Sequence, residues 1–334
     1  MRAIADTAGP VVLFFAMSDE TLAFVMVPGK PLAVVLLPVR WEPVSQRIAA
    51  FLDDLANVNY ATRARDEAHA LWRDLFAPFA DRLPESGPLV LIPSGMLYFL
   101  PFEALLDDHD RRFFERYDFT VVPSLAILGE LQKRHRTPSP GDTMLTLAAG
   151  QALQSVTNEA HRLGALVGTA HWVGVEREAA TAAAYRALAP AARQLLIASH
   201  AVYDTSMERR TFIEVSPTAD HDDRLSAIEI ASIFLAAELV TLAACDTGNA
   251  NVYFSDERLD LARGFLVAGA ATVLATRWRL PDDDSVSRFL VDFYTSYLGG
   301  QRKDHALAEA RRRAVGRGDP AEVWAAWVLT GDPQ

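Results

Sequence analysis

The chain of 334 residues contains a single cysteine, Cys245, which excludes an internal disulfide and suits a reducing compartment. No apolar stretch approaches the ~20 residues needed to span a bilayer. The apolar run Val11–Met17 is followed at once by Asp19 and Glu20, with no small-residue cleavage site, so no secretory signal is expected. The expectation is a cytoplasmic protein with no membrane partner. Positive charge is also scarce: 32 Lys and Arg against 43 Asp and Glu leave a formal charge of −11. A broad nucleic-acid footprint needs a basic face, so direct nucleic-acid binding is not expected. The basic runs Arg209-Arg210 and Arg311-Arg312-Arg313 read as solvated helix or loop faces. The phosphate loop G-x-x-x-x-G-K-[ST] and the nucleophile elbow G-x-S-x-G are both missing. The histidines are scattered without metal-ligand spacing, and no repeat of 20–50 residues or low-complexity tract occurs.

What is present is an ordinary globular composition, half hydrophobic and 22% charged, on a chain long enough for about two domains. Val11–Met17, Thr21–Val27 and Pro31–Leu37 read as a small antiparallel meander. Two helices follow, the stronger over Arg65–Phe79 with Ala68, Leu71, Trp72, Leu75, Phe76 and Phe79 on one face. Leu89–Ile92 and Phe119–Val122 read as strands, and Ser124 caps a helix through Leu131. The basic, proline-rich stretch 133–142 is the clearest linker, which divides the chain into residues 1–135 and 143–334. Beyond it strands and helices alternate, the pattern of βαβ units around a parallel sheet. The fold class is therefore α/β. Ser226 with Glu229 predicts a capping box for a helix through Leu235, and the last clear helix has Val286, Phe289, Leu290, Phe293, Tyr294, Tyr297 and Leu298 on one face. Trp324 and Trp327 read as core residues.

Two apolar runs end in residues suited to nucleophilic chemistry: Leu195–Ser199 before His200, and Leu239–Ala244 before Cys245. Both are continuous in apolar residues rather than alternating, as strands covered on both faces require. Functional groups gather past the carboxyl ends of such strands. An imidazole beside a thiol can hold a thiolate–imidazolium pair near neutral pH. Backbone N–H groups, of Cys245 itself and of the loop opened by His200, could receive the developing oxyanion. Taken singly, a lone cysteine at a strand end is often an inert packed thiol, so the residues alone leave that alternative open.

Residues 89–106, LVLIPSGMLYFLPFEALL, resemble the signature segment of CHAT-domain proteases, a caspase-like group often fused to tetratricopeptide repeats. Tyr117–Leu131, Ile197–His200, Leu242–Gly248, Leu261–Ala270, Ala275–Trp278 and Trp324–Trp327 resemble further family segments, in order along the chain. The resemblance implies a stand-alone CHAT protein, with a mostly parallel caspase-like sheet flanked by helices. It also implies a degenerate, pseudo-protease N-terminal half, carrying the meander, that supports the active one. It makes His200 the general base and Cys245 the nucleophile of a peptidase in the caspase and separase group. The backbone N–H groups of Ala201 and Cys245 become the oxyanion donors. Two positions depart from the family pattern, Ala201 in place of glycine and Ala243 in place of serine.

Trp278–Asp284 resembles the stretch that lines the primary specificity pocket of separases. Asp282 is the candidate pocket residue and Asp246 the runner-up; either acid would select a basic residue before the cut. Arg279 opposes that sign, and the aspartates 282–284 could instead cap the helix that follows. The combined reading is a cysteine endopeptidase acting on a protein or peptide substrate through a thioester, with no metal or organic cofactor. Family resemblance adds an activating protein partner and a setting in bacterial defence or programmed death. The rival is a catalytically silent CHAT module that binds a peptide or protein in the same cleft, which Ala201 and Ala243 keep open.

Overall fold

The computed structural model describes residues 9–17, 19–55, 61–134, 143–149, 154–199, 201–204, 210–219, 224–243, 257–278, 280–281 and 283–334. It divides into two compact units: residues 1–133 with 302–326 and 332–334, and residues 134–301 with 327–331.

In the first unit the meander forms as the alternation requires: β1 (Val11–Ala16), β2 (Thr21–Met26) and β3 (Ala33–Leu37) pair antiparallel in sequence order. Helices α1 (Trp41–Leu55) and α2 (Ala61–Leu75) follow. Strand β4 (Gly87–Ile92) then pairs parallel with β1 on one side and with β5 (Tyr117–Val121) on the other. The inner face of β1 packs on an aromatic core. Phe14 lies 5.6 Å from Phe76, and Phe76 lies 4.8 Å from Phe113, both edge-on as ring quadrupoles favour. Helix α3 (Leu125–Arg134) covers part of the opposite face, with Leu128 against Val11, Val90 and Ile92. Ser124 caps it, its Oγ accepting from the Ile127 N–H at 3.2 Å.

The second unit is built on a mostly parallel sheet flanked by helices. Its strands are β6 (Met144–Ala148), β7 (Trp172–Glu176), β8 (Gln194–Ala198), β12 (Leu239–Leu242), β13 (Thr272–Thr276) and β14 (Trp327–Gly331). Pairing runs β7-β6-β8-β12-β13-β14, parallel throughout except for the last, antiparallel pair. Every residue of β6, β8 and β12 is buried, including Thr146, Gln194 and Thr241, which explains why their sequences are mostly apolar and do not alternate. Helix α4 (Gln154–Val167) packs with α8 (Asp284–Leu298), and the short α6 (Ala227–Ala231) packs with α7 (Glu257–Ala268). Helix α5 (Ala182–Leu188) leads into β8, with Thr181 as its N-cap. Strands β9 (Ala201–Asp204), β10 (Arg210–Glu214) and β11 (Arg224–Ser226) make a separate antiparallel sheet.

After α8 the chain returns to the first unit as α9 (Lys303–Arg317). Here one sequence expectation is corrected. The run Arg311–Arg313 is not a solvated face throughout, because Arg311 is only 1% exposed. Its guanidinium lies 3.6 Å from Glu103, itself 0% exposed, and 5.2 Å from the centre of the Phe119 ring. Among the described residues no helix is long and apolar enough to cross a membrane.

Candidate functional site

The candidate site lies where β8 and β12 end. These strands are adjacent and parallel, with Gln194 opposite Leu239 and Ile197 opposite Leu242. The run Leu195–Ile197 and the run Leu239–Leu242 therefore deliver the chain to the same edge of the sheet. In sequence, His200 follows Ile197 by three positions, and Cys245 follows Leu242 by three. His200, Cys245, Asp246 and Asp282 lie outside the described residues, as does Arg279. Ala201 is described: it opens β9 and pairs with Ile213 of β10.

The described chain is held firmly up to that edge. Ala149 donates its N–H to the Ala198 carbonyl at 3.1 Å, which carries the β6–β8 ladder to the strand end. Ser199 is buried, and its Oγ donates to the Glu214 carbonyl at 2.6 Å, tying the exit from β8 to β10. On the other strand Ala243, also buried, donates its N–H to the Ile197 carbonyl at 3.0 Å. Each anchor satisfies a polar group that would otherwise be costly to bury. The strand ends at Ala198, shorter than the run read from sequence up to Ser199.

Away from that edge, in mid-strand and at the amino ends of β8 and β12, two tyrosines of α8 carry polar ends into an otherwise apolar packing. The Tyr294 hydroxyl shares a buried hydrogen bond of 2.7 Å with Thr241 Oγ1 on β12. The Tyr297 hydroxyl donates to Glu238 at 3.3 Å. Burial and the Glu238 charge push its pKa up to about 12, although Gln194 and Arg193 pull the other way. Sequence reading took both as members of an apolar stripe. The signal against that was chemical, since a buried phenol needs a partner for its hydroxyl.

The glycines of the Leu261–Ala270 segment have a packing role. A Cβ at Gly264 would stand 3.0 Å from the Ala227 carbonyl. At Gly269, with φ +125°, it would collide with the Leu235 carbonyl oxygen. Both hold α7 against the segment that leads into β12.

Of the three aspartates before α8, Asp283 is the N-cap, its side chain accepting from the Ser285 N–H at 2.7 Å. Asp284 stands in the first turn with its side chain 75% exposed, 3.8 Å from Arg162. Trp278 is buried, and the buried Arg277 donates to the Trp327 carbonyl at 3.3 Å. Trp324 and Trp327 are both buried, as core residues should be.

In the first unit, the two family-like segments are fastened together. The Tyr98 hydroxyl donates to the Pro123 carbonyl at 2.6 Å, and Ser94 Oγ, accepting from the Ala16 N–H at 3.0 Å, ties the first of them to β1. Among the described residues no group of three His, Cys, Asp or Glu is placed to hold a metal ion.

Comparison with known proteins supplies the family. The sequence pattern of the CHAT domain matches residues 65–332. Tetratricopeptide repeat protein 28 of Mus musculus is 26% identical over 308 residues, covering 75% of this chain and 12% of its own. The Homo sapiens protein of the same name is 25% identical over 330 residues, covering 80% and 13%. The chain thus spans about an eighth of the length of these relatives. Among solved structures, a chain in a crystal structure of the Saccharomyces cerevisiae separase–securin complex superposes with a TM-score of 0.69 at 11% identity. That match covers 99% of this chain and 30% of the other. A second structure of that complex gives a TM-score of 0.50 at 15% identity, over 73% of this chain and 15% of the other. These likenesses establish a shared fold.

Proposed function

Because the chain belongs to the CHAT domain family, we propose that it is a cysteine endopeptidase, with Cys245 as nucleophile and His200 as general base. The observation that supports this reading most directly is the register of β8 with β12. Ile197 and Leu242 stand opposite each other, and the two candidate residues follow at equal sequence distance. Ser199 and Ala243 fix the backbone just before each of them.

The chemistry follows from the residue types. His200 takes the thiol proton, and the Cys245 thiolate attacks the scissile carbonyl. The resulting oxyanion is received by backbone N–H groups, for which Ala201 and Cys245 are the candidates. Alanine supplies an N–H as well as glycine does. The imidazolium then protonates the departing amine, which leaves a thioester on Cys245. Water, deprotonated by the same imidazole, hydrolyses the thioester to the free carboxylate and restores the thiol. None of these steps needs a cofactor.

The proposal extends to a protein or peptide substrate with a basic residue before the cut, selected by Asp282 or, second, by Asp246. Residues 1–135 are proposed as the supporting pseudo-protease half. Control by a protein partner and a role in bacterial defence or programmed death are carried by the family resemblance, and a cytoplasmic setting by the single cysteine.

A peptidyl fluoromethyl ketone tests the dyad. We expect covalent labelling at Cys245 that falls by at least ~100-fold in His200→Ala, in keeping with the loss of a positioned base. Equal, slow labelling in both proteins overturns the dyad and leaves a module that holds peptides without cutting them.

A further inference from the structure

The first unit contains a cavity that the candidate active site does not use. Its volume is about 460 Å³, and it lies between the end of α1, the first half of α2, the loop after β4 and residues 320–324. That size suits a small-molecule site. Ala64, Ala68, Ala104, Leu106 and Ala321 line it, and the short side chains of the four alanines leave the space open. The buried Trp324 supplies an aromatic wall.

The charged groups at this cavity are unequally satisfied. Asp54 is buried, and both of its carboxylate oxygens are taken by Arg63. Arg65 is ion-paired with Asp110. Arg112 differs. Its guanidinium lies over the Trp324 ring, 5.5 Å from the ring centre. Its ion-pair partner, Glu115 Oε1, stands 3.9 Å from Nη1, beyond hydrogen-bond reach. The other oxygen of Glu115 accepts from the Arg112 backbone N–H at 2.6 Å, which keeps that carboxylate from closing on the guanidinium. Among the described residues the Arg112 guanidinium therefore has no hydrogen-bond acceptor. A guanidinium resting on an aromatic ring engages its face and keeps the N–H fork at its rim, the shape that a carboxylate matches.

We propose that this cavity binds a monocarboxylate with an apolar, aromatic body, its carboxylate held by Arg112 and its body set among the alanines beside Trp324. The charges choose the ligand class. A cation would need Asp54, which Arg63 already neutralises. A phosphate dianion would need a second open cation, and Arg65 is engaged by Asp110. One loosely paired guanidinium suits a single negative charge. Every residue of this site belongs to the first unit, so the inference does not depend on the peptidase reading.

Calorimetric titration of the purified full chain with indole-3-propionate tests the site. A Kd on the order of 0.1–1 mM is expected, the range open to so small a ligand. Arg112→Gln removes the charge and the fork and should weaken binding about tenfold or more, as should replacing the acid by indole-3-propionamide. The same chemistry could come from a free acid or from the carboxyl terminus of a protein. N-acetyl-Gly-Trp with a free carboxylate separates the two sources. If it binds more tightly than indole-3-propionate, the site takes a chain terminus; if less tightly, a free acid; either result upholds carboxylate recognition. No saturable binding of either acid up to about 10 mM overturns the inference. So does an amide that binds as well as its acid, or indifference to Arg112→Gln. If that variant fails to fold, methyl NMR of the wild type decides. Indole-3-propionate should shift the methyls of Ala64, Ala68, Ala104 and Ala321, and a spectrum unchanged at these four overturns the proposal.

Discussion

Arg311 and Glu103 face each other at 3.6 Å in the interior of the first unit, each 1% exposed or less. Arg311 comes from α9, Glu103 from the loop between β4 and β5 in the segment that resembles the family signature. The pair thus anchors a helix late in the chain to a segment some two hundred residues earlier. Burying two charges costs several kcal/mol per ion, offset only when the partner stays. The ring of Phe119, 5.2 Å from the guanidinium, and the Trp324 carbonyl, 3.4 Å from Nε, supply further support.

Arg311→Ala should therefore destabilise the protein by about 3–5 kcal/mol, because it strands a buried carboxylate. Arg311→Met combined with Glu103→Leu should lose much less than the single variant. Urea unfolding midpoints read both. If the double variant is as unstable as Arg311→Ala, the pair contributes attraction beyond compensation of its own burial.

Gly269→Ala should be among the most disruptive small substitutions in the second unit. The backbone there has φ +125°, and the added Cβ would meet a backbone carbonyl, Leu235 O, that cannot turn away. Strain of this kind costs on the order of 1–3 kcal/mol from the backbone alone, with the collision added. Thermal unfolding should show a large fall for Gly269→Ala and none, or a slight rise, for Gly316→Ala, which lies in α9 with ordinary φ and open space around the Cβ.

The parts of this fold that could be read from sequence are those where a local pattern and the tertiary packing agree. The meander alternates in sequence and pairs as a meander. The Ser226–Glu229 capping box forms as spelled, the Ser226 N–H donating to Glu229 at 3.0 Å. Continuous apolar runs gave β8 and β12, and with them the sheet edge that carries the candidate site. What escaped was fixed by distant partners. Helix α9 is rich in alanine and arginine with only a weak apolar stripe, so nothing local says that Arg311 turns inward to meet Glu103. Strand β7 contains Gly174 and is half-exposed, so neither propensity nor burial marks it. The helix at Ser226 stops at Ala231 rather than reaching Leu235, because Leu235 donates its N–H to the Ala268 carbonyl instead. At the site, Ser199 looked like a residue passed on the way to His200, yet its hydroxyl ties two sheets together.

Stability should fall in alkali through Tyr297. Its folded pKa, pushed up to about 12 by burial and by Glu238, lies above the ordinary value of 10.0. A raised pKa means that the folded state holds the phenol proton more tightly than the unfolded chain does. That contribution is complete below pH 10.0 and is lost as the pH rises through the folded value of about 12. Two units of separation correspond to about 2–3 kcal/mol. Tyr297→Phe should flatten this part of the stability profile, and ultraviolet difference titration should lose one late-titrating phenol in that variant, while Tyr117 and Tyr185, also raised by burial, remain. A profile equally steep in Tyr297→Phe assigns the loss elsewhere.

The aspartates before α8 separate a structural role from a recognition role. Asp283 caps the helix through the Ser285 N–H, so Asp283→Ala should cost about 1 kcal/mol of stability and Asp283→Asn much less. Neither should alter which residue is preferred before the cut, since the Asp283 side chain is committed to the cap. Asp282→Ala should do the opposite: stability unchanged within about 0.5 kcal/mol, but a reduced advantage of Arg- or Lys-ended fluorogenic peptides over Asp-ended ones. Unfolding midpoints and relative kcat/KM on the two peptide sets measure both halves. If Asp282→Ala leaves the preference intact while Asp246→Ala removes it, selection belongs to the acid beside the nucleophile. If neither moves it, charge at these two positions does not choose the substrate.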